Sequence, residues 1–132
     1  MAQPTVFTFN PFQENTYLIA SEGESVIIDP GCFERHEKQE LADFILDNSL
    51  KPIRLLNTHC HIDHVLGNNF VCQKWNLKPE LHREDLSILQ ALPNYGHMFG
   101  VGGIEESPMP EKFLEEGDTI EFGKIKLDIL FV

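Results

Sequence analysis

The period with which apolar and polar positions alternate changes repeatedly along this chain, and each change marks an element. Residues 6–9 and 16–20 alternate or cluster β-forming side chains and 25–29 continues the pattern, with Asn10-Pro11 and Glu22-Gly23 as breaks, which predicts a meander of three strands closed by Pro30-Gly31. From 33 to 48 the period lengthens. Phe33, Leu41, Phe44 and Ile45 fall largely on one helical face and Glu34, His36, Glu37, Lys38 and Glu40 on the other, which predicts an amphipathic helix with a solvated His36. Ile53 to Leu56, between Pro52 and Asn57, reads as a short buried strand. Residues 65–75 then predict a helix turning Leu66, Phe70 and Trp75 inward, where Gly67 and Asn68 fit either a helix start or a close approach by a substrate. A strand over 78–82 and a helix over 83–91 follow, the helix acidic at Glu84-Asp85 and ending near Pro93. Residues 94–110, with four glycines, Pro108 and Pro110, predict a loop carrying His97-Met98-Phe99. The last element is a hairpin of 118–121 with 124–132, turned at Phe122-Gly123.

Length and charge narrow the possibilities. The 132 residues fit one domain with a modest core. With 21 acidic against 10 basic residues, the net charge of −11 repels phosphate backbones, and no basic run offsets it, so a nucleic-acid partner is excluded from the reading. Asn10, Gln13, Glu14 and Asn15 interrupt the first twenty residues, so no secretory signal is visible, and no apolar run approaches a membrane span. Cys32, Cys60 and Cys72 are odd in number and lack a framework spacing, which suits a reducing cytoplasm.

The chemistry concentrates in Thr58-His59-Cys60-His61-Ile62-Asp63-His64, directly after the 53–56 strand. If the chain stays extended, His59, His61 and Asp63 share one side while Cys60 and Ile62 face the core. His64 joins the others only if the backbone turns there. Imidazoles with a carboxylate are the donor set zinc prefers, and iron or manganese less selectively. Cys60, between two such histidines, is expected to be packing and not a ligand.

This motif resembles the H-x-H-x-D-H signature of the metallo-β-lactamase superfamily, and its surroundings resemble the type II glyoxalase-like hydrolases. Gln13 to Ile19 is similar to that family's first hairpin, and Val26-Ile27-Ile28-Asp29-Pro30-Gly31 to its next strand and turn. Residues 116–123 are similar to the strand pair that leads to a later P-G-H motif. The resemblance implies an α/β fold, the N-terminal half of an αββα sandwich with a mixed sheet and helices packed on one face. It implies that His59 and His61 are two ligands of one metal and Asp63 and His64 two ligands of its neighbour. Asp63 would also orient a metal-bridging hydroxide, and Asp29 would be a carboxylate behind the ligands that orients the site. His82 and Asp85 match a structural H-x-x-D.

Residues 129–132 are continuously apolar where chain ends are usually polar. With no P-G-H histidine or later ligand present, the expectation is a single incomplete domain over 1–132 that holds zinc, two ions per complete site, only partly. The implied activity is hydrolysis of a small-molecule thioester such as a hydroxyacylglutathione, weak or absent in this form. Substrate-binding residues are not implied. Alternatives are a mononuclear-iron persulfide dioxygenase and a non-catalytic metal- or partner-binding chain, and an exposed sheet edge would allow a homodimer.

Overall fold

The computed structural model of the protein describes residues 4–95 and 106–130. Its frame is a six-stranded sheet in the order of the sequence: β1 (Thr5–Phe9), β2 (Glu14–Ser21), β3 (Glu24–Ile28), β4 (Lys51–Leu56), β5 (Pro79–His82) and β6 (Lys112–Leu114). The first three strands are antiparallel, joined by the turns at Asn10 and Glu22-Gly23, and from β3 onward the pairs are parallel. Parallel neighbours need crossovers, and the helices supply them: α1 (Arg35–Asp47) between β3 and β4, then α2 (Ile62–Val65) and α3 (Asn68–Trp75) between β4 and β5. A single 3₁₀ turn, Arg83–Asp85, and α4 (Leu86–Tyr95) follow β5.

The pleat explains the layers. Leu18, Ile27 and Leu55 point to one face, where Leu41 and Ile45 of α1 and Val71 and Cys72 of α3 cover them. Val26, Ile28 and Leu56 point to the other face, where a separate hairpin of β7 (Thr119–Phe122) and β8 (Ile125–Asp128) lays Ile120, Phe122 and Leu127 on them. Leu81 of β5 is buried with Cys60, Ile62, Leu89 and Leu92. The mixed α/β sheet with helices on one face is the architecture the resemblance implies.

Several expectations are corrected. The helix predicted over 65–75 is two helices: α2 begins at Ile62, and α3 starts after Gly67. Glu37, placed on the solvated face of α1, is buried, because its carboxylate accepts the backbone N–H groups of Phe33, Glu34 and Asn10. The helix expected to stop near Pro93 runs on to Tyr95. β6 lies in a stretch given no element by the sequence pattern. Of the strand expected over 124–132, β8 covers Ile125–Asp128; Ile129 still exchanges backbone hydrogen bonds with Gly117 and Asp118, Leu130 is 73% exposed, and residues 131 and 132 lie outside the described residues. His97-Met98-Phe99, expected in a loop, also lies outside them. His36 is exposed as expected, and His82 Nδ1 accepts the Glu84 N–H at 3.2 Å, a local turn contact.

Candidate metal centre

Parallel strands β3 and β4 end side by side, and the loops that leave them meet. Asp29 follows β3, donating its N–H to the Leu56 carbonyl at 2.9 Å, with a φ of 54° in the left-handed region that aspartate tolerates better than most residues. That turn of the backbone directs a buried carboxylate across to the loop after β4. Asp29 Oδ1 accepts the Thr58 N–H at 2.7 Å, and Oδ2 accepts the Thr58 hydroxyl. The carboxylate therefore fixes the first residue of the motif twice.

The Thr58 hydroxyl has one proton, and Asp29 takes it. Its remaining capacity is as an acceptor, and His59 Nδ1 lies 3.1 Å away. This assigns the proton of His59 to Nδ1 and leaves a lone pair on Nε2. His64 is turned the same way. Its Nδ1 approaches Asp29 Oδ2 at 3.1 Å and Glu14 Oε1 at 3.6 Å, aligned with neither, while its Nε2 faces Asp63 Oδ2 at 3.6 Å. The Asp29 acceptor raises the pKa of His64; burial opposes this, and the charges of Asp29, Asp63 and Glu14 add to it. Asp29 thus faces Nδ1 of His64 directly and stands behind Nδ1 of His59 through Thr58, while Nε2 of His64 faces Asp63.

His61 caps the start of α2 in extended conformation, with its ring stacked on His59 at 5.7 Å between centroids and 18° between planes; the His59 and His64 rings are 5.4 Å apart. Three imidazoles and the Asp63 carboxylate occupy one patch. The geometry differs from the expected extended run: Asp63 reaches the patch as a residue of α2, and its backbone carbonyl is held by Asn10 Nδ2 at 2.9 Å. Cys60 and Ile62 are buried as expected. Burial pushes the Cys60 thiol up to about 12, so it is inert as a nucleophile.

Among the described residues, the set of three metal-type donors that all lie within 4.8 Å of one another is Glu14, Asp29 and His64, behind the histidine row. Its chemistry fits a hydrogen-bonded frame better than a cation. Both Asp29 oxygens are already committed to Thr58. Thr16 Oγ1 accepts the Gly31 N–H and lies 2.8 Å from the Asp29 carbonyl and 3.0 Å from Glu14 Oε2. One hydroxyl proton is shared between these two oxygens, which leaves the buried Glu14 carboxyl weakly supported in its charged form. That agrees with a carboxyl pushed up to about 8 by burial, against lowering by Thr16 and His64.

The donors of the patch fit divalent cations of the zinc type: His59 and His64 each have Nδ1 beside a protein oxygen, the arrangement in which the other ring nitrogen ligates metal. Asn10, Glu14, Thr16 and Glu37 are the supports that sequence reasoning missed. Asn10 and Glu14 sat in stretches read as turn and hairpin, and no spacing relates them to the motif. A groove of about 470 Å³ opens beside His59, lined among others by Ile28, Leu56, Leu114 and Leu127.

Comparison with known proteins bears on this geometry. A model of the metallo-beta-lactamase superfamily matches residues 9–129. The chain is 31% identical over 122 residues to the probable metallo-hydrolase YqgX of Bacillus subtilis, covering 92% of this chain and 56% of that protein. It is 30% identical over 125 residues to the hydroxyacylglutathione hydrolase GloC of Haemophilus influenzae, covering 90% and 55%. The crystal structure of TTHA1623 in a di-iron-bound form superposes with a TM-score of 0.74 at 30% identity, over 89% of this chain and 56% of that one. The chain thus spans a little over half the length of the curated relatives it matches.

Proposed function

The chain belongs to the metallo-β-lactamase superfamily, and on that premise we propose that it serves metal-dependent hydrolysis of a thioester of the hydroxyacylglutathione type. The observation that carries the reading is the shared support of His59 and His64 by Asp29, because it presents two Nε2 lone pairs and the Asp63 carboxylate at one patch. In this reading His59 and His61 hold one cation and Asp63 and His64 its neighbour, with zinc the first choice and iron or manganese compatible with the donors. When bound, such ions lower the pKa of water toward neutrality and polarise a carbonyl.

The chain's own residues prepare that chemistry. Asp29 sets the orientation of His64 directly and of His59 through Thr58, so neither ring must reorganise on loading. Asp63 adds a carboxylate oxygen that accepts a hydrogen bond from the attacking water and orients it. The apolar lining beside His59 supplies surface for the uncharged part of a thioester and keeps bulk water from that side.

The test is an assay of metal-loaded protein carrying these residues against lactoylglutathione, in parallel with oxygen uptake on glutathione persulfide. Thioester hydrolysis that disappears in His59→Ala supports the proposal. Hydrolysis that survives His59→Ala, or persulfide-dependent oxygen uptake in place of hydrolysis, contradicts it; the latter would favour an iron dioxygenase.

A further inference from the structure

Asn57 and Asn68 are both wholly buried and face one another as a reciprocal pair: Asn57 Nδ2 donates to Asn68 Oδ1 at 3.1 Å and Asn68 Nδ2 donates to Asn57 Oδ1 at 2.9 Å. The orientation of the amides is settled by a third partner. Ser107 Oγ donates its proton to the Pro108 carbonyl at 3.0 Å, so toward Asn68 Nδ2, 3.0 Å away, it can only accept. Both Asn68 amide protons are thereby used.

The place of this pair is what distinguishes it from ordinary core satisfaction. Asn57 is the residue after β4 and immediately before Thr58-His59; Asn68 is the first residue of α3, four residues past His64. Between them runs the whole segment that carries His59, His61, Asp63 and His64. Each end is tied down independently, Asn57 through its N–H to the Glu80 carbonyl of β5 at 2.9 Å and the start of α3 through the Gly67 N–H to the Pro30 carbonyl, in the turn after β3, at 2.8 Å. Helix α3 has no side-chain cap at its N-terminus, and the Asn68 amide ties its first turn to the end of β4. Two antiparallel N–H···O bonds fix both a separation and a common plane, whereas an apolar contact at the same place would let the helix slide along the strand end. An unpaired amide here would be costly, whereas two apolar side chains would carry no such risk; what the amide pair adds over them is the geometry it imposes.

We infer that the Asn57–Asn68 pair is a clamp that closes the ligand segment on itself and sets the spacing between the His59–His61 and Asp63–His64 halves of the metal centre. Neither asparagine touches the reacting atoms; both are positioning residues. The inference rests on the proposed metal reading of those four side chains.

The test compares the parent protein with Asn57→Leu, Asn68→Leu and the double variant. Each single change strands one buried amide, while the double change removes both and keeps a branched four-atom side chain at each position, so it is expected to retain a fold that the singles lose in part despite the added bulk. Cobalt(II) titration followed by optical absorption reads affinity and coordination, and thermal unfolding reads stability. The clamp predicts that the folded double variant binds cobalt about 10-fold more weakly or worse, with a changed band pattern. Parent-like affinity and bands in the double variant overturn it and leave the pair a packing feature. A second measurement needs no variant. Zinc added to isotopically labelled parent shifts the side-chain amide resonances of Asn57 and Asn68 if the clamp is coupled to the ligands, and unmoved resonances while the histidines respond overturn the inference. A parent that binds no cobalt at all refutes the metal reading itself, and the clamp with it.

Discussion

Asp29 sits with a positive φ, buried, and holds the motif through Thr58 while facing His64. Asp29→Ala removes the acceptor of the Thr58 N–H and hydroxyl and the carboxylate beside His64 Nδ1. The expected loss is about 1–3 kcal/mol in unfolding free energy, from the charge-assisted hydrogen bonds to Thr58 that are removed. Metal affinity should fall by 10- to 100-fold, as for other groups that orient ligands from behind. Denaturant unfolding of the metal-free protein and a zinc titration check the two effects separately. Glu14 gives a pH prediction. Its pKa is raised in the folded state, so the folded protein holds a proton that the unfolded chain has released; this stabilises the fold at low pH and is lost as pH rises from the ordinary carboxylate range to about 8. The raised pKa of His64 acts in the same direction, starting from the ordinary histidine range. Glu14→Gln keeps the contact with Thr16 and removes the titration, so its stability should fall less steeply over that window than the parent's, measured by urea unfolding at several pH values without metal.

Elements meet tightly at two glycines. A Cβ on Gly31 would lie 2.2 Å from Glu14 Oε2 and 2.7 Å from both Asn10 Nδ2 and the Asp63 carbonyl, and one on Gly67 would lie 2.5 Å from Cys32 Sγ and 2.9 Å from the Pro30 carbonyl. Gly31→Ala should therefore push the turn after β3 away from α2 and destabilise by about 1–3 kcal/mol, and Gly67→Ala should do the same between that turn and α3. Thermal unfolding checks both, and a neutral result at either position would mean that the loops are looser than described. Strands β1 to β5, the β7–β8 hairpin and α1 were legible in the chain from their apolar patterning, with Leu18, Ile27 and Leu55 on one face of the sheet and Ile19, Val26 and Leu56 on the other, whereas the three-residue β6 was not. The boundary at α2 was not. Ile62 begins a helix because His61 supplies its extended cap and Asn10 holds the Asp63 carbonyl from fifty-three residues away in sequence, and no local pattern reports such a contact. Glu37 was misplaced for a related reason. Helical periodicity sorts charges outward, and only the fold reveals that three backbone donors converge on this one.

At the scale of the whole molecule, a mixed sheet carries helices on one face and the β7–β8 hairpin on the other, and the candidate centre lies where β3 and β4 end. The position of the motif after a buried strand could be read directly, since the apolar run 53–56 stops where the histidines begin. The frame behind it could not, because Asn10, Glu14 and Thr16 come from the first hairpin and join the site only when the sheet forms. No helix among the described residues is long and apolar enough to cross a membrane. If the centre holds metal, zinc binds the folded chain in preference to the unfolded one and raises the melting temperature; a chelator reverses this, and His59→Ala removes most of the difference.

The ring nitrogens of the histidines decide the matter most directly, through ¹⁵N resonances of the imidazoles followed as zinc is added. The account predicts that Nε2 of His59 and of His64 move to metal-bound positions while their Nδ1 atoms stay protonated, held by Thr58 and Asp29. Response confined to the exposed His36, or metal on Nδ1 of His64 between Glu14 and Asp29, would contradict it.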